Sequence, residues 1–369
     1  MDRRRWVTLA AVAVLAVGGV GVALAVDAAG GTDEVEAGPV AAPSTTVTAP
    51  PTTVRGPLGS GEPVTLAFAG DMSFEGATRA RLDADPTTVL ASVAPVLSAA
   101  DVAVGNLETA LGAAGSPWPG KEYTFRAPES ALTALRAAGF DVVSMANNHG
   151  MDYGVDGLAA SVAIARAQPA GFVIGIGADE TEAYQPFVAE VRGQRIAVIA
   201  ATQVIGNSMI AAWTATAEQG GLASAKRVDR LVREVASARA VADTVVVFLH
   251  WGIETETCPS SDQRSLAETL VDAGADVIVG GHAHRVQGAG RLGDAVVGYG
   301  LGNFLWNAQS EESATTGVLE VTVTGRRVDS YRWIPARIEA GVPQPLTGNA
   351  AAAAVARWDA LRACTGLTP

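Results

Sequence analysis

Apolar and polar positions fall into short and long blocks along the chain. The short blocks are β-branched or apolar runs that end in polar residues. Val64-Thr65-Leu66-Ala67-Phe68 leads into Gly70-Asp71, and Val102-Ala103-Val104 into Gly105-Asn106-Leu107-Glu108. Val142-Val143-Ser144-Met145 leads into Asn147-Asn148-His149. Val245-Val246-Val247-Phe248-Leu249 leads into His250-Trp251-Gly252, and Val277-Ile278-Val279 into Gly280-Gly281-His282-Ala283-His284. Continuous apolar runs of this length predict strands buried on both faces. Between them, residues 130–138 and 228–240 carry apolar positions at helical spacing. Residues 295–300 and 317–324 read as a hairpin or sheet edge. An Ala-rich stretch at 350–363 predicts a last helix on the outside. The pattern predicts an α/β fold, mixed sheets flanked by helices, over residues 64–339, with a tail and packed helix over 340–369.

The N-terminal pattern is different. Asp2-Arg3-Arg4-Arg5 precedes an uncharged apolar run over residues 6–26, about the ~20 residues that cross a bilayer as a helix. Basic residues before the run and Asp27, Asp33, Glu34 and Glu36 after it place the remainder outside the cytoplasm. The run reads as a signal-anchor at the cell membrane. The alternative is a cleaved signal peptide with Ala23-Leu24-Ala25 as its small-residue site, giving a secreted protein. Residues 27–63, rich in Pro, Thr and Ala, form a tether that cannot bury enough surface to fold.

Composition narrows the function. With 49% hydrophobic residues in 369, the chain has ample material for a core. A formal net charge of -12 excludes a general nucleic-acid binder, since no broad face would neutralise phosphate. The two cysteines, Cys258 and Cys364, lie too far apart for a zinc ribbon. In an oxidising compartment they either pair, pinning the C-terminal tail to the loop after His250, or remain free thiols.

All four histidines, His149, His250, His282 and His284, follow apolar runs. Residues at the carboxyl ends of such strands converge on one rim. Imidazoles with the carboxylates Asp71 and Glu108 and the amide oxygen of Asn148 are ligands for Mn, Fe or Zn. Two such ions form a clamp for in-line attack on a phosphorus ester, and a remaining imidazole, His149, would protonate the leaving group. Gly-x-Ser-x-Gly, Walker and His-Glu-x-x-His motifs are missing from the sequence.

The ordered motifs Gly70-Asp71, Asn106-Leu107-Glu108, Ala146-Asn147-Asn148-His149, His250-Trp251-Gly252-x-Glu254, Gly281-His282-x-His284-x-x-Gln287 and Leu301-Gly302-Asn303-Phe304 resemble the CapA family. These are capsule or poly-γ-glutamate biosynthesis proteins, similar in fold to calcineurin-like metallophosphoesterases. Lys121-x-Tyr123-x-Phe125-Arg126-x-Pro128 and Asp152-Tyr153-Gly154 fit as well. The resemblance implies a layered sandwich of the metallo-dependent phosphatase type. It implies Asp71, His250, His282, His284 and Asn148 as ligands of one or two divalent metals, and His149 as the catalytic imidazole.

Two places depart from the phosphoesterase pattern. Ser73 stands where a histidine is expected, and Asn106-Leu107-Glu108 where a bridging aspartate is expected. Either Glu108 bridges by its longer arm or that metal is held weakly. Other residues keep two readings. Asn147 caps a helix or serves the site, and Asn303 supplies a turn or serves the site. Glu254 orients a ligand histidine or is a solvated loop acid. Asn106 and Gln287 are further candidates near metal or substrate. Trp118 and Trp213 line a groove or cover the core edge, and residues 206–225 are a candidate flap.

Two functions follow. One is an exported, membrane-anchored hydrolase of phosphoesterase type, acting on an anionic polymer or a lipid-linked substrate. The other is a non-catalytic accessory subunit of a polyglutamate synthase or export complex.

Overall fold

The computed structural model describes residues 61–369, so the apolar run at 6–26 lies outside the described residues, as does nearly all of the tether. Among the described residues no helix is long and apolar enough to cross a membrane.

Two mixed sheets form the centre. The first runs in the order Val342–Pro345, Arg327–Glu339, Thr315–Thr324, Val64–Met72, Val102–Leu107, Val142–Ser144 and Val173–Ile174. Asn303–Leu305 pairs in parallel with the end of Val64–Met72. The second runs Ala289–Leu292, Ala295–Gly298, Val277–His282, Thr244–Trp251, Gln194–Thr202 and Phe187–Val191. In each sheet the site-bearing strands pair in parallel, which aligns their carboxyl ends.

Side-chain alternation explains the layers. Leu66 and Phe68 of the first sheet pack with Val198, Val246, Phe248 and Val279 of the second in one buried cluster. Ala67, Ala69 and Val143 point the other way, against Leu132 and Leu135 of helix Ser130–Ala137 and Val162 of helix Gly154–Arg166. Ile199, Val247 and Leu249 face Leu231 and Val235 of helix Val228–Val241 and Leu270 of helix Ser261–Asp272. The strands are buried on both faces, as their continuous apolar runs require. The architecture is the expected α/β class, mixed sheets flanked by helices.

The strands reach further than the apolar runs predict. Asp71, Asn106, His250 and His282 lie within strands, not in the turns after them. Parallel pairing continues through the polar residues, with Asp71 opposite Asn106 and Trp251 opposite His282. The hairpin Phe187–Val191 and Gln194–Thr202, which the apolar runs did not mark, turns at Arg192-Gly193.

At the C-terminus, Thr315–Thr324 and Arg327–Glu339 form a long hairpin. Helix Gly348–Ala360 packs on it by stacking Trp358 on Trp333 at 5.5 Å. Cys258 and Cys364 are joined by a disulfide with a Cα–Cα distance of 5.7 Å.

Residues 206–225 are not a free flap. They hold helix Ile210–Trp213 and strand Gly221–Leu222, which pairs with Ile176–Gly177. Trp213, Leu222, Ala223 and Ala225 are buried. The small residues serve close packing, since a Cβ at Gly221 would lie 2.5 Å from the Ala215 nitrogen. Trp213 covers the core edge, with Trp118 against it edge-on at 5.4 Å.

Candidate metal centre

The site forms where the carboxyl ends of the two sheets meet. Asp71 is the cross-link. Its Oδ1 accepts from Asn106 Nδ2 at 2.8 Å within the first sheet, and its Oδ2 accepts from the His282 amide at 2.9 Å across to the second. That approach requires glycine at 281, because a Cβ there would lie 2.1 Å from Asp71 Oδ1. The following turn is strained, with φ of 91° at His282 and 51° at His284. Such conformations cost of the order of 1–3 kcal/mol each outside glycine and collect where function demands them.

Around this link the predicted ligands come together. Glu108 Oε1 lies 3.5 Å from His250 Nε2 and 3.8 Å from His284 Nε2. Asn148 Oδ1 is 2.7 Å from His250 Nε2, and Asp71 Oδ2 is 3.4 Å from His284 Nδ1. Among the described residues, three sets of side chains converge closely enough to share a cation: Glu108 with His250 and His282, Asp71 with Glu108 and His284, and Glu254 with His282 and His284.

These donors fit a metal ion. Both Glu108 oxygens and His282 Nδ1 are buried without a hydrogen-bond partner. A buried carboxylate left unpaired costs several kcal/mol, and the cost disappears if a cation takes its oxygens. Burial, and then the neighbouring imidazoles, hold His250 well below the ordinary imidazole range. Burial and His284 lower His282 to about 4, so both rings are neutral and ligand-ready at pH 7. Nitrogen and oxygen donors of this kind suit Zn, Mn or Fe.

Without a cation the site stores protons. Burial and Asp71 push the Glu108 carboxyl well above its usual range. Burial opposes the charge on His284, but Glu108 and Asp71 overcome it and raise the ring to about 9. Binding a divalent cation to Asp71, Glu108 and His284 must therefore release protons at pH 7. Affinity should rise with pH until His284 titrates near 9, and calorimetry in two buffers of different ionisation enthalpy should register the release. Equal heats in both buffers would contradict it.

The other candidates hold these ligands in place. Asn106 joins Asp71 to the second sheet, its Nδ2 also 3.2 Å from His250 Nδ1. Asn147 donates to Asn106 Oδ1 and to the Leu107 carbonyl, and its own Oδ1 accepts the His149 amide. It thus shapes the turn and braces the site together. Asn303 Oδ1 lies 2.8 Å from His284 Nδ1. Gln287 does not reach the ligands. Its Nε2 donates to the Glu256 and Cys258 carbonyls, and its Oε1 accepts from Gln263, so it supports the loop after His250.

His149 stands beside the ligands. Its Nδ1 is 2.6 Å from Asp152 Oδ2, its ring stacks on Phe125 at 3.9 Å, and its Nε2 is 3.8 Å from Glu108. Burial lowers its pKa, an effect that Asp152 partly offsets. Lys121 bonds the Asn148 carbonyl and Asp152 Oδ1. The sequence motifs contained Lys121, Phe125 and Asp152 but suggested no role for them. The spacing of Asp152, three residues after His149 and close enough for the turn that joins them to bring the side chains together, was the available signal.

The model of the bacterial capsule synthesis protein family PGA_cap matches residues 65–308. The chain belongs to this family. All the converging ligands fall inside the PGA_cap match. A capsule biosynthesis protein CapA of Bacillus anthracis is 29% identical over 78% of this chain and 70% of its own length. A PGA biosynthesis protein CapA of Bacillus subtilis is 28% identical over 69% of this chain and 66% of its own. Among solved structures, a putative 5'-nucleotidase from Staphylococcus aureus aligns at 16% identity and a TM-score of 0.48, over 81% of this chain and 58% of that one. The chain thus spans about two thirds of the length of the PGA_cap relatives it matches.

Proposed function

We propose that this protein serves capsule or poly-γ-glutamate synthesis or export as a membrane-anchored protein whose folded part lies outside the cytoplasm. In this reading its strand-end site is a metal-dependent hydrolase of phosphoesterase type. The observation that carries the site reading is Glu108, a fully buried carboxylate without a hydrogen-bond partner among imidazoles. The family supports the polymer role, and the basic-then-apolar N-terminus supports the anchor. Polyglutamate synthase or export subunits are the partners that this role implies.

The residues divide the work. Asp71, Glu108, Asn148, His250, His282 and His284 would hold one or two divalent ions, which supply Lewis acidity toward an ester oxygen when bound. Asp152 fixes the His149 tautomer by accepting from Nδ1, and this aims Nε2 at the ligand cluster. Lys121 bonds the Asn148 carbonyl and the Asp152 carboxylate, and its Nζ lies 3.2 Å from His149 Nδ1, so it shares with that ring the carboxylate that orients it. A second proton taken up at Nε2 forms the imidazolium, which the Asp152 carboxylate stabilises. His149 would then pass that Nε2 proton to a departing oxygen and return to the neutral Nδ1–H form. Phe125 stacks on the ring and shields it from water.

The full chain, assayed on phosphomonoesters and phosphodiesters with its metals measured, tests this reading. His149→Ala should lower turnover by about 10²–10⁴-fold with metal content intact, whereas His282→Ala should remove metal. A metal-free, inactive protein indifferent to both changes would leave the accessory-subunit reading, which Ser73 in the place of a ligand histidine favours.

A further inference from the structure

Glu254 lies outside the six residues assigned above to the metals, on the loop that leaves strand Thr244–Trp251. It is exposed, and an exposed carboxylate is ordinarily a solvated one. Its surroundings differ from those of its acidic neighbours. Gly252, at φ 93°, and Thr255, at φ 68°, fold the loop back toward the strand end. Glycine is needed at 252 on a second count, since a Cβ there would lie 2.8 Å from Gln263 Oε1. The Thr255 amide donates at 2.8 Å to the carbonyl of Ala283, the residue between His282 and His284.

The loop is braced from below. Gln287 takes the Glu256 and Cys258 carbonyls, and Gln263 Nε2 donates to Gln287 Oε1 at 3.0 Å. Gln263 is itself fixed by a capping box with Ser260 at the start of helix Ser261–Asp272. A solvated acid requires none of this support.

The braced loop places one Glu254 oxygen within 4.8 Å of ligand atoms of both His282 and His284. His282 is only 6% exposed, and its Nδ1 has no hydrogen-bond partner. The neighbouring set of Asp71, Glu108 and His284 brings three donors, where a closed zinc-type site takes four. Ser73, just after strand Val64–Met72, ends in a buried hydroxyl with no hydrogen-bond partner.

We propose that Glu254 is a metal ligand, completing with His282 and His284 the solvent-facing side of the centre. The inference rests on the metal-binding part of the proposed function. It adds a carboxylate from the second sheet's loop, in compensation for the uncharged Ser73. Because Glu254 is the exposed member of its set, it is also the ligand that an incoming anionic group would displace most readily.

Titrating the full, metal-stripped protein with Zn2+ by calorimetry, and recording the visible spectrum of its Co2+ form, tests the assignment. Glu254→Gln should weaken at least one Zn2+ step by tenfold or more and change the Co2+ bands. Glu256→Gln, on the same loop, should leave both unaltered. If Glu254→Gln matches the parent protein while His282→Ala loses metal, the assignment of Glu254 fails and the metal centre stands. If the parent protein binds neither ion, both fail.

Discussion

Glu108→Met is expected to make the metal-free protein more stable, by about 1–3 kcal/mol, while abolishing its stabilisation by divalent cations. The first half follows from the burial of both carboxylate oxygens without a hydrogen-bond partner. An unsatisfied buried polar group of this kind costs roughly 1–3 kcal/mol, and an apolar side chain of similar volume avoids that cost. Burial and Asp71 already drive Glu108 toward its protonated form, a sign that the fold disfavours the charge. The second half follows from mass action, since an ion that binds only the native state raises stability with its concentration. Glu108 belongs to two of the three converging ligand sets, so its loss should flatten that response. Urea unfolding in chelator and then in millimolar Mn2+ gives both numbers. A variant less stable than the parent in chelator, or equally responsive to Mn2+, would show that Glu108 is a structural group. The predicted combination of greater stability with lost binding is the signature of a residue retained for function.

The same residues show how far the chain can be read from its sequence. The strands were legible because burial on both faces leaves unbroken apolar runs such as Val245 to Leu249. Their true ends were not, because hydropathy registers Asp71, Asn106 and His282 as polar although each has its partner within the ladder or across the sheets. The convergence of the histidines was legible from position alone, since all of them follow such runs. What hydropathy and motif order lack is distance between the sheets. That is why Gln287 looked like a site residue yet supports a loop, and why Lys121, Phe125 and Asp152 carried no role until they met around His149. Residues 206–225 misled in the other direction. Small residues signal freedom in a loop and close packing in a core, and composition does not separate the two.

Removing the Cys258–Cys364 disulfide is expected to have the largest effect on stability. The two residues are 106 apart in sequence, and in the chain-entropy model a cross-link closing a loop of that length contributes about 4–5 kcal/mol through the unfolded state. The native state adds little to oppose this, because other contacts hold the ends near one another. Arg291 and Thr368 exchange backbone hydrogen bonds, and Arg362 Nε donates to the Ala289 carbonyl at 2.8 Å. These contacts should keep the Cys258→Ser/Cys364→Ser variant folded in dilute buffer with its C-terminal segment docked. Guanidinium unfolding of that variant should give a lower midpoint and a free energy lower by about 4 kcal/mol, with dithiothreitol reproducing the shift in the parent protein. A difference under about 1 kcal/mol would mean that the cross-link restrains only the native loop. The variant also reports on the site, because Cys258 ends the loop that presents Glu254 to His282 and His284. If the bond mainly acts on the unfolded chain, Zn2+ affinity should change less than twofold while the unfolding midpoint falls. A parallel loss of both would place the disulfide among the supports of the metal centre, with Gln263 and Gln287.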